Sequence, residues 1–514
     1  MPASENPPLL HGWALFAMTL GLSAATFMEV LDTTVANVSL PTISGDLAVS
    51  ATQGTWLITG YSVANAITVL LAGWLAQRFG EVRMFTLCAL AFGAASLLCG
   101  AATSLETLVA CRVLQGAVAG PMVAVTQSLL LRNYAPQRRG FAMAIWSLTV
   151  VCAPLIGPVL GGYITDNFNW RWIFLINVPV AAVAAAVVWQ TLHRRETERR
   201  RLPVDYIGFG LVVLGVGALQ VMLDKGKELD WFGSREIVAL AVVAAVALTT
   251  LVIWELGEQS PVINLRLFLI RNFTVSVTVM AFAFASMFAG IVLVPLLLQT
   301  QFGYTATWAG VTVAPMGFLA LLLTPIVGPS LPRLNLRVII TVGLLIFAVA
   351  SYWRSTFESG ADYLHLAMPQ ALQGGAVALY FAPLVMQYSA SLPPALYASA
   401  SSLMNFTRML GGAVATSLVT TLWDQRAAVH QTALVEHARP GAPGYDAATA
   451  VLEAHGAGAA EAHAVLAQQI SQQAYMLSAN EIFLGLTVVF LAMIIVEWQA
   501  EPIRLHGAGA PAAH

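Results

Sequence analysis

Charge is scarce in this chain. Asp, Glu, Lys and Arg make up 10% of its 514 residues, against 58% hydrophobic residues and a mean hydropathy of +0.75. Soluble domains carry about 25% charged residues. A chain this poor in charge cannot cover a water-facing surface, which excludes a large soluble protein and sends most of the residues into lipid. Cysteine is nearly missing as well. Cys88, Cys99, Cys111 and Cys152 all lie in apolar runs without metal-ligand spacing, so neither a disulfide framework nor a metal site is expected. The first residues, MPASENPPLLHG, hold no Lys or Arg, and no A-x-A-like cleavage site follows the first apolar run. That run reads as a retained span rather than a signal peptide. Catalytic signatures are absent too: there is no G-x-x-x-x-G-K-[ST], no H-E-x-x-H and no G-x-S-x-G. No enzyme and no cofactor is expected, and without a nucleotide site uphill transport would have to draw on an ion gradient.

What the chain has in abundance is apolar runs. Each span needs about 20 mainly apolar residues, and that criterion gives about 14 helices. Six lie near 13–37, 54–76, 84–102, 106–130, 141–164 and 171–191, two near 206–223 and 236–255, and six near 272–298, 306–328, 336–353, 362–388, 397–423 and 477–498. The fold class expected is an all-α membrane protein. Basic residues set the orientation. With the N-terminus in the cytoplasm, inner loops hold Arg78, Arg83, Arg132, Arg138, Arg139, Arg194, Arg195, Arg266, Arg271, Arg333 and Arg337, and Arg504 follows the last span. Outer loops hold fewer, among them Arg171, Lys225, Lys227 and Arg354. Both termini are therefore expected inside. The run HRRETERRR at 193–201 fits the same bias, which makes nucleic-acid binding a poor explanation for it.

The chain also repeats itself. Pro41, Trp56, Gly73, Arg78 and LQGAVA at 114–119 return in order as Pro295, Trp308, Gly328, Arg333 and LQGGAVA at 372–378. This predicts two six-helix bundles of one topology, 1–192 and 261–500, with a linker and two inserted helices at 193–260 and a tail at 501–514. Parallel repeats with a site between the halves are the architecture of rocking transporters. The stretch 424–475 is the only long outer loop, with helical-looking runs. Its histidines, His430, His437, His455 and His463, lack metal spacing and read as a solvated surface.

The candidate site starts from two acids inside the first span, Glu29 and Asp32. An ionised group near the bilayer centre costs ~2.5 kcal/mol or more, and intramembrane acids are functional by default. Residues at i and i+3 share a helix face, so both acids are expected to face a cavity between the bundles and to load and release protons. The alternative is a fixed ion pair locking two helices. Arg112, followed by Gln115 and Gly116, is the expected counter-charge, since a guanidinium keeps its proton; snorkelling toward the outer surface is the other reading. Arg408 fits a cavity role or a packing role equally well. Glu29, Asn37, Gln115 and Arg408 are the candidate substrate contacts. Two glycine-rich stretches look mechanical. In VCAPLIGPVLGGY, Pro154, Gly157, Pro158, Gly161 and Gly162 allow bending or close helix approach. In GWLAQRFGEVR, Gly73, Arg78, Gly80 and Arg83 form a turn that fits either a positive inner loop or a latch.

LDTTVANVSLP at 31–41, GWLAQRFGEVR at 73–83, the segment from Arg112 to Gly120, APLIGPVLGGYITD at 153–166, NFTRMLGGAVATS at 405–417 and SANEIF at 478–483 together resemble the major facilitator superfamily, and within it the Emr-type exporters of the 14-span drug:proton antiporter family. The resemblance covers essentially the whole chain. It implies a major facilitator fold and proton-coupled export of hydrophobic or amphiphilic toxic compounds. Asp32 would be the first-span acid of proton coupling and Arg112 the fourth-span arginine of proton transfer. Gly157, Pro158, Gly161 and Gly162 would be the antiporter motif, and Gly73, Arg78, Gly80 and Arg83 the latch. It further implies a periplasmic adaptor of the EmrA type, a TolC-like outer-membrane channel, and a place in the inner membrane of a Gram-negative bacterium, with 424–475 as adaptor contact. A dedicated exporter of one metabolite, such as a fatty acid or siderophore, and a non-transporting receptor are the alternatives. Two residues depart from the family pattern: Gln77 replaces the usual acid of the latch, and Glu29 is not part of the general motif.

Overall fold

The computed structural model describes residues 10–199, 203, 205–258, 261–437, 441–455 and 458–503. Lipid offers no hydrogen bonds to a backbone, so a spanning segment must satisfy its own, and apolar runs of this length do so as helices. The chain forms α1 (Gly12–Asp46), α2 (Trp56–Phe79), α3 (Glu81–Ala101), α4 (Leu105–Asn133), α5 (Arg139–Asn167) and α6 (Asn177–Leu192), then α7 (Tyr206–Lys225) and α8 (Arg235–Gly257). It continues with α9 (Arg271–Gln301), α10 (Ala306–Ser330), α11 (Leu336–Arg354), α12 (Tyr363–Ala390), α13 (Tyr397–His437), the short α14 (Pro443–Ala454) and α15 (Ala459–Glu497). Side-chain caps start several of them: Ser104 accepts from the Thr107 amide at α4 and Asp362 from the His365 amide at α12.

A helix stands at every expected span. Among the described residues, eleven are long and apolar enough to cross a membrane, or twelve with the bent α5 counted as one span. The expected fourteen is not reached on that measure, because α12 and α13 are too polar. The reason is their position. α12 packs on α5, α9, α10 and α11, and α13 on α2, α4, α7, α9 and α15. Their polar residues, such as Gln370, Gln373 and Asn405, are buried against protein rather than lipid.

The repeat is visible in the packing. In the first six helices the pairs are α2·α4, α1·α5, α3·α4, α3·α6, α1·α6 and α1·α4; α10·α12, α9·α13, α11·α12, α11·α15, α9·α15 and α9·α12 reproduce them one for one. Gly116 lies so close to the Tyr61 carbonyl that a Cβ would overlap it, and Gly374 stands the same way against the Met316 carbonyl. The two bundles meet through α2 with α13 and α5 with α10, joined by α4 with α13 and α5 with α12.

The side of the bundle where α1 begins is called the near side here. The repeated glycines seal it. A Cβ on Gly73 would come within 2.7 Å of the Ser399 Cα, and one on Gly328 within 3.0 Å of the Phe141 Cα. Around them Gln77 Nε2 donates to Ser399 Oγ at 3.3 Å, Ser402 Oγ to the Leu70 carbonyl at 2.9 Å and Arg139 Nη1 to the Tyr397 hydroxyl at 3.1 Å. Gly73→Val is expected to force α2 and α13 apart. Overpacking costs about 1–3 kcal/mol, roughly a 5- to 150-fold shift against the closed near side. A cysteine pair at positions 77 and 399 should then lose its oxidative cross-link while the protein still inserts; an undiminished cross-link would show that this contact does not hold the seam.

Of the inserted pair, α7 packs against α2 and α13 and ties them together on the far side, and α8 packs on α7. The buried Lys225 bonds Thr55 Oγ1 and lies over the Trp56 ring, both ahead of or at the start of α2. From α13, Ser417 Oγ donates to the Leu223 carbonyl at 2.8 Å, Asp424 pairs with Lys227 at 2.8 Å, and Thr421 Oγ1 accepts from Trp231 Nε1 at 3.0 Å. Lys225, expected in an outer loop, is instead the buried last residue of α7.

Within 424–475 the helical-looking runs are helices. α13 runs on to His437 and α15 starts at Ala459, with α14 packed on α15. Trp423, bonded to the Tyr475 carbonyl at 2.9 Å, and the forked Arg426–Glu481 pair at 2.7 and 3.0 Å clamp the base of this stretch, where His430 also reaches Glu481 at 3.0 Å. His463 stacks on Tyr445 and bonds its hydroxyl at 2.6 Å. The residues from 504 onward, Arg504 included, lie outside the described residues.

Candidate functional site

Asp32 sits mid-way along α1 and is 4% exposed. Its Oδ2 forms an ion pair with Arg112 Nη1 of α4. Its Oδ1 accepts from Gln115 Nε2 of α4 at 3.2 Å and from Asn177 Nδ2 of α6 at 2.8 Å. Both amides also donate to Ser96 Oγ of α3, at 3.2 and 3.1 Å, and the Ser96 hydroxyl donates to the Phe174 carbonyl at 2.8 Å. Arg112 is fixed in turn. Its Nε donates to the Leu57 carbonyl at 3.4 Å, its Nη1 also reaches Gln115 Oε1 at 2.7 Å, and its guanidinium lies 4.2 Å from the centre of the Tyr61 ring. Buried at 1% exposure, it does not snorkel. A buried pair survives only when its remaining lone pairs and protons are also satisfied, and here three helices besides α1 supply the partners.

Glu29 is equally buried but differently placed. One turn before Asp32, it accepts from Asn65 Nδ2 of α2 at 3.1 Å through Oε1, while its Oε2 has no hydrogen-bond partner among the described residues. Across the bundle interface it faces the field of Arg408 on α13, without an ion pair within 4.0 Å among the described residues. Arg408 donates to Asn405 Oδ1 at 3.4 Å and lies over Phe284, and its Nε has no partner among the described residues. Asn405 in turn donates to Gln127 Oε1 of α4 at 3.0 Å, crossing the same interface.

The structure thus separates two acids that were expected to share one cavity. A three-residue step turns a helix by about 60° short of a full circle, enough to aim Asp32 into the first bundle and Glu29 at the seam. Of the other candidates, Gln115 joins Asp32 and Arg408 joins Glu29. Asn37 is exposed, further along α1 toward the far side, and belongs to neither group.

The motif residues fall into place around these acids. α5 bends by 46° between the segments 136–154 and 159–165, just past Pro154; the side chain of Pro158 lies outside the described residues. A Cβ on Gly157 would overlap Thr34 of α1, and one on Gly161 would come within 3.1 Å of the Val35 Cα, so α5 lies directly on the helix that carries both acids. Gly162 is free of such contact. At the near-side turn Gly80 takes φ +93°, Arg78 lies over Trp74, and the Arg83 amide donates to Glu196 Oε2 at 2.9 Å. The acid missing at Gln77 has a counterpart at Glu81, which is buried and pairs with Arg132 at 3.0 Å.

Three residues were missed in the sequence. Asn177 and Ser96 are neutral, so no charge marked them. Arg354, expected in an outer loop, is buried at the end of α11, bonded to Gln370 and Gln373, with no carboxylate within 4.0 Å among the described residues. The one signal pointing to it was Gln373, the repeat of Gln115.

The family model described as "Major Facilitator Superfamily" matches residues 22–416. The chain is 48% identical over 501 residues to the multidrug export protein EmrB of Haemophilus influenzae, covering 97% of this chain and 98% of that one. It is 44% identical to the fatty acid resistance protein FarB of Neisseria gonorrhoeae, covering 98% and 99%. Among solved structures, a peptide transporter, POT, in complex with sulfate superposes with a TM-score of 0.59 at 14% identity, covering 96% of this chain and 98% of that one.

Proposed function

The chain belongs to the Major Facilitator Superfamily, and from that premise we propose that it is a proton-coupled antiporter exporting hydrophobic or amphiphilic toxic compounds across a bacterial inner membrane. The observation that carries this reading is the Asp32–Arg112 pair, an ion pair buried in a span, beside a second acid at the bundle interface. In the cycle, a proton entering from the far side neutralises Asp32, frees Arg112 and lets the halves rock; release toward the near side resets the site. The near side is taken as cytoplasmic, with both termini there, because Arg78, Arg83, Arg132, Arg138, Arg194 and Arg271 lie at helix ends on that side. The division at 192/193 and 260/261 then separates the two rocking bodies from the inserted pair. The α13–α14–α15 projection is the proposed contact for a periplasmic adaptor of the EmrA type leading to a TolC-like channel.

The test is proton movement driven by substrate in liposomes holding the purified protein. Substrate-stimulated proton flux supports the antiporter; binding without flux would leave a receptor. Glu29→Gln divides the roles of the two acids. Export of cationic compounds is expected to fall about tenfold, equivalent to ~1.4 kcal/mol, with neutral compounds spared. Equal loss for all substrates would move Glu29 into proton coupling. A second reading, a dedicated fatty acid exporter, is favoured by the 44% identity to FarB; laurate as the sole substrate that drives flux would establish it.

A further inference from the structure

We propose that Asn177 is a positioning residue for the proton-carrying acid: its amide holds the Asp32 carboxylate in register with Arg112 and sets the pH at which that carboxylate gives up its proton. The inference rests on the antiporter reading above and deepens it.

Asn177 opens α6, directly after the turn that carries Phe174. It is 2% exposed, and its Nδ2 lies 2.8 Å from Asp32 Oδ1, shorter than the 3.2 Å contact from Gln115 to the same oxygen. An amide oxygen facing a carboxylate would be repelled, so the nitrogen must point at Asp32. Ser96 enforces this orientation. Its hydroxyl proton is committed to the Phe174 carbonyl, so its oxygen can only accept, and it accepts from Asn177 Nδ2 at 3.1 Å and from Gln115 Nε2 at 3.2 Å. The amide is therefore gripped between a fixed acceptor and the acid.

This contact is distinct from the ion pair. Arg112 holds Oδ2 and Asn177 holds Oδ1, so the carboxylate is gripped at both oxygens from opposite helices. The other titratable groups that interact with Asp32 or stand around it are Glu29 on its own helix, Arg112 and Cys111 on α4, Tyr61 on α2 and Cys99 on α3. α6 carries no charged residue, and α5 carries Arg139 and Asp166 only at its two ends. Asn177 is thus the single contribution of α6 to the acid, and it is neutral at every pH. A neutral donor favours the ionised carboxylate without competing for the proton. When Asp32 is protonated, this bond weakens together with the ion pair, so α6 senses the same event as α4.

The test is the pH profile of substrate export by the full-length protein in liposomes, for wild type, Asn177→Ala and Asn177→Asp. Losing one donor to a charged acceptor is expected to move the profile of Asn177→Ala upward by about one pH unit, while the rate at each protein's own optimum stays within a few-fold of wild type. Asn177→Asp keeps the side chain's size but sets a second acid beside Asp32 in place of the donor, and should move the profile at least as far; only protein of either variant that elutes folded and monodisperse in detergent is reconstituted. Profiles of both variants that overlay a sloped wild-type profile would overturn the positioning role and leave the antiporter reading intact. A wild-type profile that is flat with pH would overturn both.

Discussion

Asp32→Asn is expected to abolish substrate-coupled proton movement, reducing flux at least 100-fold, to the level of empty liposomes, while the protein still inserts and binds substrate. The substitution keeps the shape of the side chain, and the amide that replaces the carboxylate can still accept from Gln115 and Asn177 through its carbonyl oxygen. What it removes is the carboxylate that can gain and lose a proton while Arg112 keeps its own. Arg112 retains the Leu57 carbonyl, Gln115 Oε1 and the face of Tyr61, so the guanidinium is not left bare. Asp32→Glu is the matching control. It restores a titratable group on a longer arm and should recover part of the flux with a changed pH profile. Wild-type resistance together with wild-type proton flux in Asp32→Asn would remove Asp32 from the coupling mechanism.

The second large effect concerns stability. Arg112→Met is expected to destabilise the protein by about 3–5 kcal/mol, the cost of stranding one member of a buried pair. Asp32 would remain among helices α1, α3, α4 and α6 with two amide donors and no counter-charge. Methionine fills much of the arginine's volume, so the loss is mainly electrostatic. The double variant Asp32→Asn with Arg112→Met should regain most of that stability, since no buried charge remains, yet transport no substrate. Thermal unfolding of the four proteins in one detergent gives the coupling directly. If the two single losses simply add, the ion pair contributes nothing beyond its parts, and the picture of a charge-locked first bundle fails.

These two residues were legible before any coordinates. An acid and an arginine inside apolar runs are so costly that each announces a purpose. The repeat was legible too, and Gly73 and Gly328, picked out as matching landmarks, are two points where the bundles come into close contact on the near side. Other features were hidden for physical reasons. Asn177 and Ser96 cost little in a span, so nothing in the sequence singles them out, although together they hold Asp32. Lys225 and Arg354 read as loop charges because hydropathy sees only that they sit at helix ends, not that a tryptophan or two glutamines enclose them.

The sequence by itself determined that this is a duplicated bundle of membrane helices with acids in its first span and arginines gathered between the spans. Those properties depend on composition and order along the chain, and solvation free energy enforces them one residue at a time. Only the tertiary structure decided that Asp32 and Glu29, a single turn apart, live in different surroundings. One is locked inside the first bundle and the other looks across the seam at Arg408. That choice depends on which helices crowd around α1, a matter of packing between segments far apart in the chain, and no local pattern encodes it.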